Sequence, residues 1–317
     1  MKDEFEILLP ESLKVDDLDI RPISGWFDEW VTGIKEEKNK ISLKFPVYDH
    51  EMRGKLRGKL GVIIHYGGTK KSLLSQNIAH FNIFFNQHRV IYSSMEMGVV
   101  ELGSRFINLA VDYEESTESA SEILEKTYKT NPAFVIDLLI NRVATAYGDW
   151  LQITQNSGLT CDGYKTLLER VETHTGSVDI LIVDGLSMMG GKGTELELAN
   201  THTRGLKELA KDKNILVLCI VHASRGGDKH QRDVSKFARG SEKIIDNCDF
   251  YICPSLIIDD IDNYRRDIGY LRLVNKRGSG NVVDIIYSFS PKRLLMEQTS
   301  YDPKEFNQQM RSKDGNF

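Results

Sequence analysis

The amino-acid sequence predicts an α/β fold in which a mainly parallel, twisted β-sheet is flanked by helices. From Leu60 onward, short apolar runs of strand type alternate with stretches of helical periodicity. Such alternation is typical of parallel strands joined by helical crossovers. Near the C-terminus, a Gly278-Ser279-Gly280 turn separates two strand patterns without a helix between them. This predicts an antiparallel β extension at the end of the sheet.

Composition and charge narrow the class of protein. The chain has 317 residues, of which 40% are hydrophobic and 27% are charged, and its formal net charge is −5. These values are typical of a globular protein with one large core and appendages. A negative net charge argues against a globally basic nucleic-acid binder, so any contact with nucleic acid must be local.

The location of the protein is predicted from what its sequence lacks. No run of about 18 apolar residues is present, so we expect no membrane span and no membrane partner. The acidic N-terminus has no apolar core of a signal peptide. The four cysteines show no C-x-x-C spacing, which favours buried free thiols in a reducing compartment. A cytoplasmic protein is therefore expected.

The chain divides into three predicted parts. They are an N-terminal arm with an amphipathic helix (1–50), the α/β domain (51–299) and a polar C-terminal tail (300–317). The helix at 25–40 groups apolar residues such as Trp26 and Trp30 on one face. That face must cover a surface, either of the same subunit or in a groove of a neighbour.

Helices and strands are predicted throughout the α/β domain. The predicted strands are Leu60–Ile64, Arg89–Met95, Trp150–Thr154, Val178–Asp184, Asn214–Val221, Phe250–Pro254, Tyr270–Asn275 and Val282–Phe289. The predicted helices after the phosphate-type loop described next are Leu73–Phe81, Gly98–Val111, Ser119–Lys129, Ala133–Tyr147, Asp162–His174, Thr194–Lys211 and Ser241–Asp246. In open sheets of this kind, ligands bind beyond the carboxyl ends of the strands.

The stretch Leu60–Ser72 has the layout of a phosphate-binding loop, with an apolar strand, a glycine-containing loop and a helix that opens on Lys-Ser. It departs from G-x-x-x-x-G-K-[ST] because His65 replaces the first glycine and Lys70 the last. A residue other than glycine at such a position costs about 1 kcal/mol or more. The alternative is an ordinary strand–turn–helix connection with solvated lysines. The residues predicted to bind a nucleotide here are Gly67, Gly68, Thr69, Lys70, Lys71 and Ser72.

Polar side chains end three of the predicted strands. Asp184 follows a buried apolar strand, where it would meet a magnesium ion on a nucleotide or cap a helix. Glu96 would activate a water molecule for attack on a phosphate or interact with a helix N-terminus. His222 would sense a phosphate. Ser72 offers a hydroxyl ligand to the same magnesium ion.

A Gly-Gly loop follows His222 and carries four basic side chains. They are Arg225, Lys229, His230 and Arg232. Such a loop can hold a nucleic-acid backbone through its phosphates. The alternative is that these charges are merely solvated.

The order of these motifs resembles the RecA-like motor domain of the DnaB-type hexameric replicative helicases, including the phage primase-helicases. The resemblance spans Leu60–Glu297. Its similar segments are Ser94–Arg105, Asn156–Thr160, Ile182–Met189, Ala238–Ile245 and Asn275–Gly280, together with His222. Each match is short, but all occur in the family's order.

The resemblance implies a RecA-like P-loop NTPase core with ATP and Mg²⁺ as its ligands. It implies that Lys71 and Glu96 are catalytic, that Ser72 and Asp184 hold the magnesium ion, and that His222 is the γ-phosphate sensor. Arg277 corresponds to the arginine finger that reaches a neighbouring subunit's nucleotide, with Lys276 as a weaker companion. Arg239, in the segment after the loop, is grouped with the predicted nucleic-acid contacts.

The implied function is that of an ATP-dependent replicative DNA helicase. The resemblance implies a hexameric ring, single-stranded DNA as ligand, a primase or loader as partner, and a bacterial or phage-infected cytoplasm. The helix at 25–40 would be a linker that docks on the adjacent subunit. The 59 residues before Leu60 are too few for a primase or for the family's helical N-terminal domain.

Two departures keep other functions open. Lys70 leaves nucleotide binding expected but fast hydrolysis less so, and Asn275 stands where the family often has lysine. The alternatives are a RecA-like recombinase filament, or a nucleotide-binding scaffold with weak or no hydrolysis.

Overall fold

One β-sheet organises the part of the chain that this computed structural model describes. The described residues are 40–111, 118–223, 229, 231–237, 242–260 and 263–303. The predicted helix at 25–40, apart from its last residue, lies outside them, as do the predicted nucleic-acid residues Arg225, His230 and Arg239.

The sheet contains, within these residues, nine strands in the order β3-β2-β4-β5-β1-β6-β7-β8-β9. The strands are β1 (Leu60–His65), β2 (Val90–Ser94), β3 (Leu151–Thr154), β4 (Ile180–Asp184), β5 (Leu216–His222), β6 (Phe250–Asp260), β7 (Asn263–Asn275), β8 (Val282–Ser290) and β9 (Leu295–Gln298). Pairs from β3 to β6 are parallel, and pairs from β6 to β9 are antiparallel. The predicted fold class is therefore confirmed.

Helices flank this sheet. They are α1 (Pro46–Met52), α2 (Lys71–Asn86), α3 (Val99–Ala110), α4 (Ala120–Tyr128), α5 (Pro132–Leu138), α6 (Thr145–Tyr147), α7 (Cys161–Thr175), α8 (Glu195–Asp212) and α9 (Glu242–Asn247). A π-helical stretch, Leu139–Ala144, joins α5 to α6 inside the single helix predicted there. None of the described helices combines the length and the apolar character needed to cross a bilayer.

The central strands are buried on both faces, because helices pack on each side of the sheet. All six residues of β1 are buried. Successive side chains of a strand point to opposite faces. Accordingly, Ile63 belongs to one apolar cluster, whereas Val62 and Ile64 belong to the cluster on the other face. This two-sided burial explains the continuous apolar runs by which the strands were predicted.

The first of these clusters begins before the phosphate loop. Ile41, Leu43 and Phe45 are buried within it, and the compact unit that carries the sheet starts at Ile41. Ser42 donates its backbone N–H to Asn82 Oδ1 at 2.9 Å, and Asn82 Nδ2 donates back to the Ser42 carbonyl at 2.7 Å. The sequence analysis assigned 41–50 to the N-terminal arm, whereas these residues form part of the core.

The parallel register brings the functional strand ends to one edge of the sheet. His65 at the end of β1 is opposite His222 at the end of β5. Ser94 at the end of β2 is opposite Asp184 at the end of β4. Residues far apart in the sequence therefore meet around the loop that follows β1.

Candidate functional site

The loop between β1 and α2 surrounds a cavity at this edge of the sheet. Thr69 Oγ1 donates to the Tyr66 carbonyl at 2.9 Å, and Lys71 Nζ donates to the same carbonyl at 2.8 Å. A β-carbon on Gly67 would meet no atom within 4 Å, so this part of the loop is open. The cavity has a volume of about 360 Å³ and is lined by Gly68, Thr69, Lys70, Lys71, Ser72, Leu73, Glu96, Arg105, His222, Phe289 and Leu294.

Lys70 adopts the left-handed backbone conformation, with φ 65° and ψ 27°, immediately before α2. This is the position at which the phosphate-loop pattern has glycine, and a side chain there costs about 1–2 kcal/mol. The Lys70 ammonium lies 4.5 Å from the centroid of the Phe289 ring. Such a cation–π contact offsets about 0.5–1 kcal/mol of that cost. The loop therefore keeps its glycine-like backbone despite the substitution.

Ser72 and Asp184 form the candidate magnesium site. Ser72 Oγ donates to Asp184 Oδ1 at 3.2 Å, and the buried Tyr92 hydroxyl donates to Asp184 Oδ2 at 3.1 Å. Burial raises the pKa of the Asp184 carboxyl. A hydroxyl beside a carboxylate is a donor set that Mg²⁺ accepts, with the remaining ligands supplied by phosphates and water. The residues present thus fit the predicted ion.

Lys71 faces the same two carboxylates. Its side chain is buried, and this burial lowers the pKa of Lys71 to about 8, against the attraction of Glu96 and Asp184. A buried cation at the start of a helix, beside open backbone N–H groups, is suited to binding phosphate oxygens.

Glu96 and His222 are in direct contact. His222 Nε2 lies 2.9 Å from Glu96 Oε1, and the carboxylate can only accept, so Nε2 carries the donated proton. This hydrogen bond lowers the pKa of Glu96, in spite of partial burial. The predicted catalytic carboxylate and the predicted phosphate sensor are therefore coupled, and both line the cavity.

The structure adds site residues that the sequence analysis did not assign. Tyr92 supports Asp184 from within β2 and is fully buried. Arg105 lines the cavity from α3 and forms an ion pair with Glu101 at 2.7 Å. Phe289 and Leu294 enter from the antiparallel extension. Arg105 was visible only as part of a motif, and the others have no signal in a single sequence.

Arg277 does not belong to this cavity. It follows Asn275, which pairs with Phe250 at the start of β6, and Phe250 in turn pairs with Gly61 near the start of β1. The phosphate loop begins after His65, at the other end of β1, and the strand rise over these residues is about 13 Å. Arg277 and the phosphate loop of one subunit therefore lie at opposite edges of the sheet.

The side chains of Lys276 and Arg277 rest on the carboxyl end of α9. Lys276 Nζ donates to the Ile245 carbonyl at 2.6 Å, and Arg277 Nη2 donates to the Asp246 carbonyl at 3.1 Å. Carbonyls at a helix C-terminus attract cations. Among the described residues, no carboxylate forms an ion pair with Arg277.

Two of the predicted nucleic-acid residues are described, and both lie against the protein. A β-carbon on Gly68 would be 3.5 Å from Lys229 Nζ, which places this ammonium beside the phosphate loop. The Arg232 guanidinium stacks 4.0 Å from the centroid of the Tyr270 ring. His65 Nε2 donates to the Gln231 carbonyl at 2.8 Å, which ties β1 to this segment.

Together, the fold and the cavity define a P-loop nucleotide-binding domain with a RecA-like sheet. The family model of the DnaB-like helicase C terminal domain matches residues 41–265, and the chain belongs to this family.

Solved structures agree in fold. The chain is similar to a solved structure of a phage-type ATPase domain, with a TM-score of 0.70 and 17% identity over 90% of this chain and 100% of that one. It is also similar to "The Structure Of A DnaB-Like Replicative Helicase And Its Interactions With Primase", with a TM-score of 0.65 and 18% identity over 88% of this chain and 67% of that one. No curated protein matches the chain.

Proposed function

We propose that this protein is the ATP-hydrolysing motor of a replicative DNA helicase, with each active site shared between two subunits of a ring. The observation that carries this proposal is the division of the catalytic groups between two edges of one sheet. Lys71 and Glu96 line the phosphate cavity, whereas Arg277 lies at the opposite edge. A second copy is therefore needed to bring the arginine to the nucleotide.

Binding of ATP is assigned to the first turn of α2 and the loop before it. Lys71 binds the terminal phosphates in place of the Tyr66 carbonyl that it now contacts. Ser72 and Asp184 hold the magnesium ion, which when bound neutralises phosphate charge and orients the phosphoryl group. Tyr92 keeps Asp184 oriented through its hydroxyl.

Hydrolysis is assigned to Glu96. Its depressed pKa keeps it ionised at neutral pH, so it accepts a proton from, or orients, the attacking water. The Glu96 carboxylate accepts its hydrogen bond from His222. When His222 turns to a γ-phosphate, Glu96 becomes available to water. Phosphate sensing and activation of the base are thus one exchange of hydrogen bonds.

Completion of the site is assigned to Arg277 of the next subunit, with Lys276 beside it. The guanidinium neutralises charge that develops on the transferred phosphoryl group, a contribution worth about 10³-fold or more in rate. A head-to-tail arrangement of this kind closes into a ring, and we propose six subunits.

Contact with single-stranded DNA is assigned to the segment after His222, including Arg225, Lys229, His230 and Arg232, and to Arg239. The His65–Gln231 bond connects this segment to the strand that ends at the phosphate loop. Movement of the loop with nucleotide state would pull the strand. A primase or loader is the proposed protein partner, in a bacterial or phage-infected cytoplasm.

The test is phosphate release with and without single-stranded DNA. The wild-type protein is expected to show DNA-stimulated release, and the Lys71→Ala and Arg277→Ala variants are expected to show none alone. A mixture of the two variants restores release, because some seams pair an intact cavity with an intact arginine. A mixture that stays inactive while Arg277→Ala alone is active would contradict the shared site.

A second candidate function is a nucleotide-binding scaffold with weak hydrolysis, and the strained Lys70 favours it. It predicts ATP binding and assembly without DNA-stimulated release. Imaging of the assembly with a slowly hydrolysed ATP analogue would also distinguish a ring from the open filament of a recombinase.

A further inference from the structure

We propose that Glu51 is a positioning residue for Arg277, holding the turn that presents this arginine to a neighbouring subunit. The inference rests on the proposed role of Arg277 in a shared site. It concerns the turn between β7 and β8, Lys276–Asn281, and the helix α1 that lies against it.

The Glu51 carboxylate receives hydrogen bonds from three side chains of this turn region. Glu51 Oε1 accepts from Asn275 Nδ2 at 3.1 Å and from the Ser279 hydroxyl. Glu51 Oε2 accepts from Asn281 Nδ2 at 3.1 Å. These donors precede, interrupt and follow the tip that carries Arg277. A single carboxylate thus ties both strands and the turn together.

The turn is built around the Asn275 side chain. Asn275 is 4% exposed, and a β-carbon on Gly278 would lie 2.4 Å from its Nδ2 atom. Any side chain on Gly278 would therefore displace the amide that Glu51 holds. This explains a role for asparagine here that lysine, as a charged and longer side chain, could not take.

The carboxylate itself is held in place by a helix that belongs to the core. Tyr48 and Met52 of α1 are 0% and 3% exposed, so α1 cannot shift without disrupting packing. The hydrogen bonds from Ser279, Asn281 and Asn275 lower the pKa of Glu51. The carboxylate therefore stays ionised, and its bonds to the turn persist, at neutral pH.

The remaining contacts restrain Arg277 from one side only. Its backbone N–H donates to the Asp249 carbonyl at 3.1 Å, and its guanidinium rests on Asp246. To reach a nucleotide in the next subunit, the guanidinium must leave Asp246. Glu51 then remains as the side-chain anchor of the turn. A small misplacement of a catalytic group costs about 10²-fold in rate.

The experiment compares Glu51→Ala with His50→Ala, an exposed neighbour on α1, in the full-length protein. In steady-state ATP hydrolysis with single-stranded DNA, Glu51→Ala is expected to lower kcat by about 10- to 100-fold. Its KM and its affinity for a fluorescent ATP analogue stay unchanged, because its own phosphate cavity is intact. Glu51→Gln, which keeps one acceptor oxygen, has intermediate activity, and His50→Ala behaves as wild type.

Mixing variants separates positioning from a general folding effect. Lys71→Ala subunits carry an intact Glu51 and Arg277, so they restore hydrolysis when mixed with Glu51→Ala subunits. Failure of that restoration, in a preparation where Lys71→Ala does rescue Arg277→Ala, would show that Glu51 acts within its own subunit and would overturn the inference. Wild-type kcat in Glu51→Ala would overturn it too. If Lys71→Ala rescues neither variant, the shared site itself is refuted.

Discussion

Lys70 offers a direct measurement of what the altered phosphate loop costs. Its left-handed backbone and its contact with Phe289 oppose each other, and two substitutions separate them. Lys70→Ala removes the cation–π contact but keeps a β-carbon. Lys70→Gly removes the contact and also relieves the backbone.

The magnitudes predict a reversal of the usual ranking of alanine and glycine at a helix start. Loss of the contact alone destabilises Lys70→Ala by about 0.5–1 kcal/mol. Lys70→Gly loses the same contact but regains about 1–2 kcal/mol of left-handed strain. The greater freedom of glycine in the unfolded chain takes back about 0.5–1 kcal/mol. We therefore expect Lys70→Gly to be as stable as wild type and more stable than Lys70→Ala.

The assay is urea unfolding of the three proteins without nucleotide, followed by phosphate release with single-stranded DNA. Lys70→Gly is expected to hydrolyse ATP at least as fast as wild type, because glycine adopts the same loop backbone without strain. If Lys70→Ala proves as stable as Lys70→Gly, or more so, the left-handed strain is not borne by this residue. If Lys70→Gly unfolds as wild type but loses hydrolysis, the lysine side chain has a catalytic role that strain alone does not explain.

Three further predictions concern single contacts. Glu96→Gln is expected to lower phosphate release by about 10²- to 10⁴-fold while nucleotide binding, measured by fluorescence, is retained. It keeps a hydrogen-bond acceptor for His222, so a loss of binding would contradict the assigned role. Tyr92→Phe, which leaves Asp184 short of a donor, should lower the free energy of unfolding by about 1–2 kcal/mol in denaturant titrations and weaken Mg²⁺-dependent ATP binding; unchanged stability would argue against the bond. Burial raises the pKa of Asp179, but hydrogen bonds outweigh this and hold it at about 2, below its ordinary 3.8. Its stabilisation of about 2 kcal/mol is thus complete above that ordinary value and lost as the pH falls towards 2. Urea midpoints across this pH range should lose that slope in Asp179→Asn, and an identical slope would contradict it.

The fold was predictable because its central strands are buried on both faces. Continuous apolar runs marked β1, β4 and β5, and the helices between them showed clear periodicity. Two short elements, α1 and β9, were not predicted, because their few residues take their conformation from packing on the rest of the domain. The β6–β7 hairpin was predicted too short. Its pairing continues to Asp260 and Asn263, where backbone hydrogen bonds rather than an apolar pattern define the strands.

The candidate site was predictable where it depends on strand ends. Lys71, Asp184 and His222 follow buried strands directly, so parallel pairing brings them to one edge. Contacts between side chains distant in sequence left no such trace. Glu51 binds Asn281 across 230 positions, and no spacing rule reports a pair of that kind.

The antiparallel extension has a consequence for how copies of this chain are counted. Because the arginine turn and the phosphate loop occupy opposite edges of the sheet, each proposed subunit completes its neighbour's site rather than its own. An open row of n copies would then own one idle pocket and one idle arginine at its two tips, with n − 1 working seams. Only when the last copy meets the first does every molecule of bound fuel have a partner waiting.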